Sequence, residues 1–149
     1  MRTLSAVLVV GLCLATAFAC SAPKAPTGRW EGTYESARTM IAARLQIDKD
    51  GAVLVSAPDA VDITASDDAD REMIRQRLAM GLADAWDEVL PRRFDFDGKV
   101  FRKPAGIAPQ MEWNPDTKEM VLIVYPGKEA SIRIPMRAVK EFSLDPWPG

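Results

Sequence analysis

Residues 39–56 read TMIAARLQIDKDGAVLVS, and the reading of this stretch decides the fold class. Ile41, Ala43, Leu45 and Ile47 recur at every second position, with Arg44, Gln46 and Asp48 between them. Successive side chains of a strand point to opposite faces, so a period of two marks a strand with one face in a core and one in water. Asp50-Gly51 comes next, followed by a second apolar run at 52–56. Glycine after aspartate accepts the positive φ of a tight hairpin turn. The stretch therefore predicts an antiparallel hairpin.

The same pattern extends outward. Residues 29–37 carry Trp30 and Tyr34 at even spacing and predict the strand before this hairpin. Further on, FDFDGKVF at 94–101 places Asp97-Gly98 between Phe94/Phe96 and Val100/Phe101. Asn114-Pro115-Asp116 and Pro126-Gly127 mark two more turns. Between them, residues 120–125 are apolar on both faces, which predicts a central or covered strand. Residues 130–139 alternate Ile132, Ile134 and Met136 against Ser131, Arg133 and Arg137.

One segment breaks the period of two. Ile74, Leu78, Leu82, Ala85 and Val89 lie on one helical stripe, with Trp86 and Leu90 beside it; Arg71, Arg75, Asp84, Asp87 and Glu88 lie away from it. Ser66 or Asp67 can cap the start, Asp68, Asp70 and Glu72 suit the positive helix end, and Pro91 stops the far end. The expected fold is mainly β, α+β by content. It is an antiparallel sheet or small barrel of about eight to nine strands, with one long amphipathic helix inserted at about 67–90. That helix must dock on the sheet or plug a barrel end, and in the second case Trp86 would lie at the barrel mouth. Closing the sheet into a barrel would remove its edges.

The chain has 149 residues, a one-domain length. Residues 1–19 read as a signal peptide: Arg2, then an uncharged run from Thr3 to Ala19 ending Ala17-Phe18-Ala19 before Cys20. Residues 20–27 read as an attachment point and a Pro/Ala-rich tether, and 28–149 as one globular domain. The ending Ala17-Phe18-Ala19-Cys20 resembles the lipobox of bacterial lipoproteins, with Phe18 departing from the usual small residue. The resemblance implies a lipid on Cys20, an anchor in the membrane and, from Ser21, an outer-membrane, periplasm-facing address. Cleavage after Ala19 with a soluble product, or an uncleaved anchor, are the alternatives. Cys13 leaves with the leader, so lipidation would also consume the only thiol of the mature chain. Extended polyproline II over residues 21–27 would hold the domain about 20 Å from the headgroups; a disordered spacer is the other reading.

Gly28-x-Trp30 at the start of the first strand resembles the signature of lipocalins and related small barrels. In that family the tryptophan packs at the closed barrel end under an arginine from the last strand, which implies Arg137, or Arg133, as the partner of Trp30. It also implies that Gly28, Trp30 and Arg137 are structural. The helix departs from the family, which carries its helix after the last strand.

Chemistry has thin material. The chain has no histidine, which removes the commonest general base, and its two cysteines, Cys13 and Cys20, lie in the leader and at the start of the mature chain. Asp95, Asp97 and Glu112 are the carboxylates nearest to an acid/base pair, and a solvated polar face accounts for them. Asp48–Gly51 and the run Asp59, Asp62, Asp67, Asp68, Asp70 contain oxygen ligands of the kind calcium takes, but capping explains most of these. No metal or cofactor is expected. Without Arg2, eighteen basic residues face twenty-one acidic ones, so no basic excess points to nucleic acid. Trp86, Phe94, Phe96 and Phe101 are the candidate ligand or partner contacts. The last three interleave with Arg92, Arg93, Lys99, Arg102 and Lys103. The expected function is a non-enzymatic envelope lipoprotein that binds another envelope protein or supports an assembly. The alternative is a lipocalin-like carrier of an apolar small molecule.

If lipid on Cys20 is the anchor, Cys20→Ser moves the protein from the membrane to the soluble fraction of fractionated cells. Unchanged retention together with an uncleaved leader would assign the anchoring to residues 3–19.

Overall fold

The computed structural model describes residues 21–57, 61–63, 67–125 and 130–148. The elements run β1 (Gly28–Glu35), β2 (Thr39–Ile47), β3 (Val53–Ser56), β4 (Val61–Asp62), α1 (Asp68–Trp86), β5 (Asp95–Phe96), β6 (Val100–Arg102), β7 (Pro109–Asn114), β8 (Glu119–Val124) and β9 (Ile132–Val139). All strand pairs are antiparallel, in the order β3-β2-β1-β9-β8-β7-β6-β5, with β4 beside β2. β8 lies between β7 and β9, the central place its two-sided apolar pattern requires. The Pro126-Gly127 turn lies outside the described residues.

The sheet curls into a half-barrel. Its two ends meet at one bridge: Val53 and Arg92 exchange both backbone hydrogen bonds, at 2.9 and 2.8 Å. Inward-facing side chains fill the curl. Trp30, Leu45, Ile47, Phe101, Met111, Met120, Leu122, Ile134 and Met136 form the main core. Trp30 and Trp113 meet edge to face at 6.3 Å near one end, which we term the closed end. Pro23 lies near Gly98 there, and Ala25 packs on the core. Pro23 and Ala25 of the expected spacer therefore lie against the domain.

The hairpin at 39–56 forms as expected, but β2 is not half-exposed. Met40 and Ala42 are as deeply buried as Ile41 and Leu45, and Arg44 is buried too. The cause is α1. It packs on the outer face of the sheet, where Leu78 and Leu82 join Met40, Ala42 and Ile63 in a second core. The helix thus takes the docking option and plugs no barrel end. It starts as expected, with the Asp67 side chain accepting from the amide of Asp70 at 2.8 Å. It ends at Trp86, four residues short of the expected 90. Asp84, Asp87 and Glu88 sit at the negative end of the helix dipole with no basic residue in the last turn, and Leu90 precedes a proline, which disfavours helical backbone. Ala85, expected on the buried stripe, and Leu90, expected beside it, are exposed.

Apart from the Val53–Arg92 bridge, the two halves of the sheet join among the described residues through β1 and β9, over Arg29–Glu31 and Arg137–Val139. Beyond that ladder Gly32 passes against β9: a Cβ there would lie 2.4 Å from the Pro135 carbonyl oxygen and 2.8 Å from Met136 Sδ. Backbone cannot yield as a flexible side chain can, so Gly32→Ala should destabilise the domain by about 2 kcal/mol or more. Chemical denaturation checks this.

Candidate functional site

β1 presents opposite roles on its two faces. Trp30 and Tyr34 point into the curl, and Glu31 and Glu35 point out. Glu31 stands beside Arg44 on one side and Arg137 on the other. Its side chain is 1% exposed. Arg137 Nη2 donates to it at 2.6 Å, Ser143 Oγ at 2.6 Å and the Ser143 amide at 3.0 Å. Burial pushes the Glu31 carboxyl up, but the Ser143 hydroxyl and amide and the Arg137 guanidinium outweigh it, leaving the group below the ordinary 4.5. Glu35 accepts from both Arg71 and Arg75 and so fastens α1 to the same strand.

Ser143 belongs to a C-terminal strap, residues 140–148, that crosses the outer face. Phe142 lies under the Arg44 guanidinium at 4.8 Å and meets Trp86 edge to face at 4.7 Å. Trp147 donates its indole N–H to the Arg75 carbonyl at 3.0 Å and packs on the second core. Sequence reasoning ended at residue 139 and missed the strap. Two large aromatics, Phe142 and Trp147, in a proline-flanked tail were the available signal.

The sequence-derived residues scatter. Cys20 lies outside the described residues. Gly28 has φ 141°, and its Cα faces the Trp30 indole at a distance that leaves a Cβ in ordinary contact, 3.5 Å from the ring. Arg137 does not lie across Trp30. One residue along β9 turns it to the outer face, onto Glu31, and Arg133 is likewise outside, paired with Glu112. Trp30 has Trp113 as its aromatic neighbour, and its indole N–H is buried with no hydrogen-bond partner among the described residues. Trp86 is on the outer face. Phe101 is core, Phe96 stacks on it at 4.3 Å, and Phe94 alone of the three lines a cleft.

Asp97 accepts from the amides of Val100 and Lys99 and from Arg102, which holds its pKa down to about 2. Glu112 is held down mainly by Arg133. Both are therefore ionised at neutral pH and engaged, Asp97 with Arg102 and Glu112 with Arg133. Asp59 lies outside the described residues, and among the described residues no three carboxylates or cysteines converge as a metal site would need.

Several concave surfaces remain among the described residues, including one of about 460 Å³ around Glu112, Val121 and Arg133 and a shallow one of about 440 Å³ along Met73, Arg77 and Met80; two more adjoin the strap and the open end of the curl. A groove of about 530 Å³ runs between α1 and the strap, lined by Gln76, Ala79, Met80, Leu144 and Trp147 among others. A cleft of about 360 Å³ opens at the other end of the curl from Trp30, lined by Val55, Ala57, Phe94, Met111, Leu122 and Val124 with Arg92 and Lys103. The chain matches no family model, no curated protein and no solved structure.

The depressed Glu31 pKa fixes a sign. Its contribution is complete above the ordinary carboxylate range near 4.5 and is lost as pH falls through the lower folded-state value. Glu31→Gln should cost about 1–3 kcal/mol at neutral pH, because hydrogen bonds to a buried charge are replaced by weaker ones. It should also flatten the decline of stability below about pH 5. Urea midpoints measured across that range check both.

Proposed function

We propose that the protein is a non-enzymatic, lipid-tethered envelope protein that binds another envelope protein through the outer side of α1. One observation carries the reading. Met73, Met80 and Gly81 lie on one outward stripe of the helix, beside Leu144 of the strap; the exposures are 53% for Met73, 67% for Met80 and 86% for Leu144. An apolar stripe left in water at helical spacing fits an apolar helix laid along it.

Gly81 sharpens the reading. It is in mid-helix, and a Cβ added to it would meet nothing within 4 Å. Glycine there costs about 0.5–1 kcal/mol relative to alanine and fills no packing need among the described residues. A partner backbone approaching closely at that point supplies the need. The filled interior supports the same choice over the carrier, since the side chains of Trp30, Phe101, Met111 and Met120 occupy the depth of the curl that a fully enclosed ligand would take. The packed spacer adds orientation. With Pro23 and Ala25 resting on the closed end, few residues separate Cys20 from the domain, so a lipid on Cys20 places that end toward the membrane.

Gly81→Ala should stabilise the isolated chain by about 0.5–1 kcal/mol and weaken partner binding, a combination that a purely structural glycine does not give. In envelope membranes, a photo-crosslinking side chain at position 80 should yield one product of constant mass. Met73→Glu should abolish it without changing the melting temperature. The same crosslinker at Asp116, in the turn between β7 and β8 and away from α1 in the chain, should yield none. Equal products from positions 80 and 116 would sink the proposal.

A further inference from the structure

We infer that the cleft at the open end of the curl binds an amphipathic anion: a single acyl chain bearing a carboxylate or phosphate. The site lies inside the sheet's curl, away from the outer face of α1, so it does not rest on the protein-binding reading.

Three features combine there. The floor is apolar and belongs to the partly filled rim of the main core. Val55, Ala57, Phe94 and Val124 are half-buried over the fully buried Met111 and Leu122. A volume of about 360 Å³ is at the small end for ligand pockets, roughly 300–1,000 Å³. It suits one chain and excludes a bulky polycyclic ligand. The filled core beneath, Phe101 with Met120 and Ile134, limits how deep that chain can go, so its head stays at the rim.

The rim supplies the charge. Arg92 and Lys103 both line the cleft and are exposed, and neither makes an ion pair among the described residues. Arg93 and Arg102, their neighbours in sequence, are both engaged, with Asp50 and Asp97. Arg92 also starts from a fixed point, since its backbone is locked to Val53 by the bridge that joins the sheet ends. Tyr125, on the same rim, is held by its phenol donating to the Pro109 carbonyl at 2.8 Å. Two cations standing over an apolar floor complement an anionic head on an apolar tail: the guanidinium and ammonium donate charge-assisted bonds to the head, and the floor removes the tail from water. A neutral amphiphile of equal length gains only the second term.

Photolabelling in native membranes tests this with the full chain as the cell makes it. Three diazirine probes of matched chain length are compared: a fatty acid, a lysophosphatidic acid and a fatty alcohol. The anionic probes should label peptides containing residues 55–57, 92–94, 110–111 or 122–125. The alcohol should label them about tenfold less, the change one charge-assisted contact makes. Labelling by the fatty acid alone identifies a free carboxylate as the head, and labelling by the lysophosphatidate alone identifies a lipid phosphate. Arg92→Glu combined with Lys103→Glu should reduce anionic labelling about tenfold with an unchanged melting temperature. Ala57→Trp should block labelling by filling the floor; if that variant unfolds, the charge-reversed pair decides. Equal labelling by acid and alcohol, labelling untouched by the charge reversal, or no label in these peptides would overturn the assignment.

Discussion

The carboxylate of Glu31 is the interaction on which the rest of the structure depends. The β1–β9 ladder that joins the two halves of the sheet is three register pairs long. Glu31 sits within it and holds Arg137 across the joint, while its remaining lone pairs take the hydroxyl and amide of Ser143. It also provides the opposite charge nearest to the buried Arg44, whose guanidinium burial disfavours. A buried charge is tolerable only when its partners are complete. If the strap left the outer face, Glu31 would lose the Ser143 hydroxyl and amide and Arg44 the Ser143 carbonyl, and the strap in turn holds Trp86 through Phe142 and the middle of α1 through Trp147.

This arrangement decides where a partner can meet the molecule. The curl is filled from its closed end upward by Trp30, Met120, Met136 and Phe101, and among the described residues it opens at the rim beside Val55 and Phe94. On the outside, α1 uses Leu78, Ala79 and Leu82 against β2, and Glu35 fixes its rotation through Arg71 and Arg75. That rotation leaves Met73, Met80 and Gly81 facing water. Both candidate surfaces thus follow from packing elsewhere: one is the unfilled end of a core, and the other is the side of a helix that the sheet did not need.

Much of the fold was legible because its signals are local. Asp50-Gly51 and Asp97-Gly98 name their own turns, since both glycines adopt positive φ. Alternation assigns Ile41, Leu45, Ile134 and Met136 to the inner face. Asp67 as helix cap needed only the adjacent residues. The candidate surfaces were much less legible. Phe94, Phe96 and Phe101 look alike in the hairpin, yet one lines a cleft, one stacks and one is core. Nothing in residues 94–101 states which neighbouring strand each ring will face.

What the sequence determined by itself was the set of elements and their inner faces, because a period of two, a glycine turn or a capping aspartate is fixed by the backbone geometry of a few adjacent residues. What only the tertiary structure decided was the outer face. Arg44 reads as a solvent residue and is buried because α1 and a strap about a hundred residues downstream cover it. Arg137 reads as a cap for Trp30 and instead binds Glu31, because strand parity sends it to the other side of the sheet. Such pairings depend on which distant segments meet across the sheet. That is set by the summed burial of the whole chain and is written in no single stretch of it.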